Sequence, residues 1–189
     1  MAERHDSKPS RGKIDLTKLM SSGHPVAWLG KLSWEIAGAV SCRDENPAAR
    51  IYKSMNCAVT AWHVLDWIWQ FSNEQQRDHL SVVLKCNQVK SLKDFSIAVQ
   101  KICPAIGLCR QIGTALKHVS LDFNRSEVAT KVEKVDGTSH YRVMIVDGEH
   151  EYVDTDVYRT ALDVWCRIFV HLELDMWEEV YEMWPEWKD

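Results

Sequence analysis

Between Asn46-Pro47 and Ser72 the chain runs PAARIYKSMNCAVTAWHVLDWIWQF, with no glycine and no proline after its first residue. A breaker-free stretch of about 25 residues exceeds the average globular helix and commits the fold to one long helix around which the rest must pack. Asn46 offers an N-cap side chain, and Pro47 suits the first helical position, where its missing N–H is not needed. Ile51, Met55, Ala58, Trp62, Leu65 and Trp69 recur at helical spacing and are expected to form the buried stripe.

Helical periodicity extends to both sides. Pro25 opens a first helix to about residue 41, with Val26, Leu29, Leu32, Ile36 and Val40 on one face. Residues 72–90 are less regular and read as a short helix and a connector. Ser91 caps LKDFSIAVQKI, with Asp94 as a capping-box-like acid three residues on. Cys103-Pro104 breaks that helix, and AIGLCRQIGTALKHV forms the next.

After residue 122 the period changes. EVATKVEKV, SHYRVMIV and EHEYV are separated by Asp136-Gly137 and Asp147-Gly148, which suit tight turns with positive φ. Asp154-Thr155 then opens a last long helix with Val157, Ala161, Val164, Trp165, Ile168 and Leu172 on one side. The fold class read from this order is mainly α, an antiparallel helical bundle with a small β-meander (about 127–153) inserted before the last long helix. Residues 1–22 are expected to form a flexible polar segment, 23–174 the bundle domain, and 175–189 an acidic Trp-rich tail.

Composition narrows the function classes. A net charge of −4 over 189 residues supplies no global attraction to nucleic acid, so any such binding must use a local patch. From Glu74 to His118 there are seven Lys/Arg (Arg77, Lys85, Lys90, Lys93, Lys101, Arg110, Lys117) against three acids. On one face these cations could hold a phosphate backbone; otherwise they are a solvated surface. The six cysteines contain no C-x-x-C pair and fall in apolar helical patterns, as expected of reduced, buried thiols in a cytoplasmic protein. Neither they nor the histidines show metal-site spacing, and no phosphate-binding loop, dinucleotide fingerprint or nucleophile elbow is present, so no metal and no cofactor is expected. The polar N-terminus lacks a secretory apolar core, and no apolar run approaches the ~20 residues that span a bilayer.

Two constellations carry titratable chemistry. His63 and Asp66 lie three residues apart on the long helix, where a carboxylate can orient an imidazole for acid–base work; both can equally satisfy internal contacts. Arg110 and Lys117 are nearly in register on the helix after Pro104, with His118 rotated by ~80° from Arg110. Lys117 and His118 also suit a helix C-terminus, where positive charge is favoured without any catalytic role.

The segments NCAVTAWHVLDWIW (56–69) and CPAIGLCRQIGTALKHVSL (103–121) resemble a group of bacterial and phage helical proteins. In bundle order and in the Arg…Lys-His helix the chain is similar to the HEPN superfamily (higher eukaryotes and prokaryotes nucleotide-binding domains). The resemblance covers about residues 25–122. It implies a metal-independent endoribonuclease or RNA-binding protein of a toxin–antitoxin or phage-defence setting, usually a homodimer; single-stranded RNA is the expected substrate, since unstacked bases could pack on exposed Trp side chains. Arg110 and His118 would take the catalytic positions, assisted by Lys117 and by His63 or Asp66, with Lys93 and Lys101 joining Arg110 and Lys117 on the RNA. Seven residues separate Arg110 from His118, a wider interval than active members show. The alternative is a non-catalytic helical protein whose tail, through Trp177, Trp184 and Trp187, binds a protein partner. A nucleotide sensor using the same basic face is a third option.

Overall fold

A computed structural model describes residues 25–43, 45–117 and 128–174. Six helices and one sheet occupy them: α1 (Val26–Val40), α2 (Pro47–Phe71), α3 (Glu74–Val83), α4 (Leu92–Ile102), α5 (Pro104–Lys117), β1 (Val128–Lys134), β2 (Tyr141–Asp147), β3 (His150–Val153) and α6 (Asp154–His171). The expected N-terminal segment and Trp-rich tail lie outside the described residues.

Local chemistry sets the element ends. Asn46 is extended and its side chain accepts from the Ala48 N–H at 2.9 Å, so α2 starts with Pro47 at the first helical position. At the other end Ser72 returns to extended backbone, and its Oγ donates to the Ile68 carbonyl. The region read as a short helix and a connector contains α3, started by a reciprocal capping box between Asn73 and Gln76. Ser91 caps α4 through the Asp94 N–H at 3.1 Å, and Cys103 turns extended before Pro104. Both aspartate-glycine turns place glycine at positive φ, +71° at Gly137 and +60° at Gly148. The strands between them form an antiparallel meander of order β1-β2-β3, with Val132 opposite Val143 and Ile145 opposite Tyr152.

The helices alternate in direction. Lys31 bonds Thr60 while Lys53 donates to the Gly38 carbonyl, so numbering rises in α2 as it falls in α1. Across α5, the Arg110 guanidinium lies over Trp62, and a Cβ on Gly113 would meet Val59 at 3.8 Å, which is again an antiparallel pairing. With α6 the offset is constant: Arg50 bonds Asp154, Ser54 bonds Tyr158 and Trp165 bonds the Ala61 carbonyl, each pair 104 residues apart. Helices α2 and α6 are therefore parallel. Because α1 and α5 both contact α6 as well as α2, the four make an up-down-up-down bundle with α2 and α6 touching across its diagonal. The sheet covers one side, β2 against α2 and α6 and β1 against α5.

The buried stripe of α2 departs from the expected one. Of the six residues read from the pattern only Ala58 and Leu65 are buried, while Cys57, Ala61, Val64 and Ile68 form the inner line together with Arg50 and Ser54. The cause is enclosure on several sides: Trp62 and Trp69 pack at the edges of the core, under the Arg110 and Arg77 guanidinium groups. Polar residues inside the contact arc then disguise its centre.

Arg50 and Asp154 are 4% and 0% exposed, with two guanidinium–carboxylate bonds of 2.7 and 2.6 Å and a third to Asp154 from the Thr155 N–H. Breaking such a pair leaves an uncompensated buried charge. Arg50→Ala or Asp154→Ala is expected to lower the unfolding free energy by about 3–5 kcal/mol in urea titrations; a loss below ~1 kcal/mol would show that the pair is dispensable. Asp94 gives a pH signature. Its carboxyl is held below the ordinary 3.8, first by the Ser91 hydroxyl and then by backbone N–H groups and Lys93, against opposing desolvation. A folded pKa below the unfolded one stabilises fully above the unfolded value and loses that contribution as pH falls through the folded value. The stability gap between wild type and Asp94→Asn is thus expected to stay constant above about pH 5 and to narrow in strong acid. A gap that does not change with pH would contradict this.

Candidate functional site

Helix α5 turns Cys109 and Ile112 inward and leaves Arg110 exposed at its edge. The guanidinium carbon lies 5.8 Å from the Trp62 ring centroid, and Nη1 donates to Gln100 Oε1 at 3.3 Å. Gln100 is itself oriented, since its amide nitrogen donates to the Ser96 carbonyl at 2.7 Å and to Ser96 Oγ at 3.0 Å. A short relay from α4 thus holds an exposed cation over an indole face. Gln100 takes one of the five guanidinium N–H groups, so the fork retains donors suited to an anionic oxygen.

On α2 the imidazole of His63 meets Asp66, Nδ1 to Oδ2, at 2.8 Å. Both remain partly open, with side chains 29% and 47% exposed. A carboxylate on Nδ1 selects the tautomer with a basic Nε2, the arrangement a general base requires. His63 follows Trp62, so one helical step of ~100° separates this dyad from the Arg110 contact. The two pairs occupy adjoining faces of α2. Lys93 and Lys101 are both exposed on α4, the helix that supplies Gln100, and lie eight residues apart. Lys117 closes α5, but its side chain lies outside the described residues, as does His118.

Sequence reasoning did not single out Trp62 as a cation platform or Gln100 as a positioning group. The Ser96–Gln100 spacing of four was a readable hint, whereas the Trp62–Arg110 contact depends on helix packing. A second cleft was also missed. Leu108, Tyr152 and Val157 line it with three carboxylates, Asp147, Glu151 and Asp156, giving it an acidic rim between α5, β3 and α6. That rim opposes phosphate, and Gln100, which holds Arg110, lines the same cleft.

The cysteines play no visible part. All six are free, and five are buried. Burial pushes the Cys57 thiol up to about 12, with the Glu35 and Asp154 carboxylates adding to the effect, and raises Cys109 and Cys166 further. Among the described residues no group of three or more His, Cys, Asp or Glu gathers as for a metal ion, and no helix is long and apolar enough to cross a membrane.

Because Arg110 is exposed, the fold should not require it. Arg110→Ala is expected to change the unfolding free energy by no more than about 0.5–1 kcal/mol in urea titrations, and a loss above ~2 kcal/mol would assign the side chain to structure. No family model, no curated protein and no solved structure matches this chain, so its own geometry carries the functional argument.

Proposed function

We propose that this protein is a HEPN-like, single-stranded-RNA-binding protein with metal-independent endoribonuclease activity, acting as a homodimer in a toxin–antitoxin or antiviral setting. The observation that carries the reading is the exposed Arg110 guanidinium, oriented over Trp62 by Gln100 of α4, a helix that also carries exposed lysines. Such a corner suits a phosphodiester, and an unstacked base can lie on aromatic surface nearby.

Cleavage would follow the transesterification route. The ribose 2′-oxygen attacks the adjacent phosphorus, the bond from phosphorus to the 5′-oxygen breaks, and a 2′,3′-cyclic phosphate and a 5′-hydroxyl result. One histidine takes the 2′-hydroxyl proton and another group returns a proton to the leaving 5′-oxygen; His63, oriented by Asp66, and His118 are the groups assigned. Arg110, with Lys117, stabilises the charge that grows on the phosphoryl oxygens. Lys93 and Lys101 contribute attraction along the strand.

A second reading has its own support. Trp34 is 77% exposed on α1 and Tyr52 is 65% exposed on α2, apolar surface of the kind that anchors protein partners. Labelled single-stranded RNA incubated in EDTA separates the two. The nuclease reading expects cleavage by wild type and a loss of roughly 100-fold or more in Arg110→Ala, His63→Ala and His118→Ala, with melting temperatures unchanged. Absence of both binding and cleavage would overturn it and leave the protein-partner reading.

A further inference from the structure

Between the connector that follows α3 (residues 84–88) and α4 lies a groove of about 580 Å³, lined by Lys85, Cys86, Ile97, Lys101 and Ile102. It is more apolar than a solvated helix pair needs, with Ile97 57% and Ile102 45% exposed, and Val82 on α3 69% exposed. The carboxylate of Asp94 also lines it but is engaged at the α4 N-terminus, accepting from Ser91 Oγ at 2.8 Å and from the Lys90 N–H at 3.2 Å. Lys85 and Lys101 therefore set the sign of the groove.

The chain itself leads to this surface. Helix α6 ends in a Schellman turn, with Glu173 at φ +51° and the Leu174 N–H bonded to the Phe169 carbonyl. The Leu172 carbonyl accepts from Gln76 Nε2 at 2.7 Å, so the described chain ends, at Leu174, two residues past a contact with the first turn of α3. From Gln76 to Val83, the end of α3, is ~10 Å, and the groove begins with the next residue, whereas residues 175–189 cover ~22 Å even as a helix and ~50 Å extended. Their composition complements the groove: six acids against one lysine, with Trp177, Tyr181 and Trp184 at intervals of four and three.

We infer that the acidic Trp-rich tail, residues 175–189, docks in cis into the basic apolar groove between the α3–α4 connector and α4, its aromatic side chains on Ile97 and Ile102 and its acids toward Lys85 and Lys101. A short tether holds the tail at an effective concentration of order mM, so even an intrinsic Kd of ~0.1 mM keeps the groove about 90% closed. The inference rests on the groove and the tail, and does not depend on RNA as the ligand.

Cys86 reports on it directly, because it lines the groove and is the one cysteine of the six that is not buried. The test is the rate of Cys86 alkylation by iodoacetamide in the full chain, read by peptide mapping, with circular dichroism confirming that each variant is folded. Trp177→Ala combined with Trp184→Ala is expected to accelerate modification roughly tenfold, and Lys101→Glu to accelerate it in the same direction. Adding Glu178→Lys, Glu179→Lys and Glu182→Lys to Lys101→Glu is expected to restore slow modification, which a merely local change at Lys101 would not do. Equal rates in wild type and tail variants would overturn the inference. So would protection that grows with protein concentration, since that would place the tail of a second copy in the groove.

Discussion

A guanidinium and a carboxylate, both taken out of water, join the first turns of two parallel helices: Arg50 on α2 and Asp154 on α6. Two forked bonds, a backbone N–H and the positive end of α6 all meet the Asp154 carboxylate. Desolvating both ions offsets much of the attraction, so the pair does more for register than for net stability. A slip of one residue between α2 and α6 would strand two charges, and the Ser54–Tyr158 and Ala61–Trp165 bonds repeat the same offset further along. The diagonal contact is thereby held in one alignment.

That alignment divides the polar groups of α2 into two populations. On its inner arc, Arg50, Ser54 and Cys57 face α6 or the core and have little access to solvent. Burial raises the Tyr158 hydroxyl well above its usual range, as it does the enclosed thiols, so none of these groups is poised to exchange protons near neutrality. On its outer arc, Trp62 supports Arg110 and His63 meets Asp66, both at the surface. Buried structural bonds and solvent-facing polar pairs thus share one helix without sharing a face.

Much of this scaffold was legible in local sequence, because caps, breakers and turns act over a few residues. Asn46-Pro47, Ser91 with Asp94, Cys103-Pro104 and the two aspartate-glycine turns all mark real boundaries. The inner line of α2 was not legible, since Arg50 and Ser54 break the apolar pattern and their partners lie 104 residues away. Asp154 read as the opening of α6, and its burial could not be anticipated without Arg50. At the candidate site the His63–Asp66 pairing follows from helical spacing and is present. Placing Arg110 on Trp62 required knowing which faces of α2 and α5 meet. Lys117 and His118 are two of the five residues of the expected catalytic set, and their side chains lie outside the described residues.

The proposed function requires an anionic strand to meet the outer arc of α2 with α4 and α5, while the α2–α6 seam stays closed. The most direct test is an NMR titration of the full chain with a short oligouridylate, following amide, imidazole and guanidinium signals together. Shifts are predicted at Trp62, His63, Gln100, Lys101 and Arg110, with Arg50, Tyr158 and Trp165 unmoved. Perturbations centred on the seam or on Asp147, Glu151 and Asp156 of the acidic cleft, or none at saturating oligonucleotide, would contradict it.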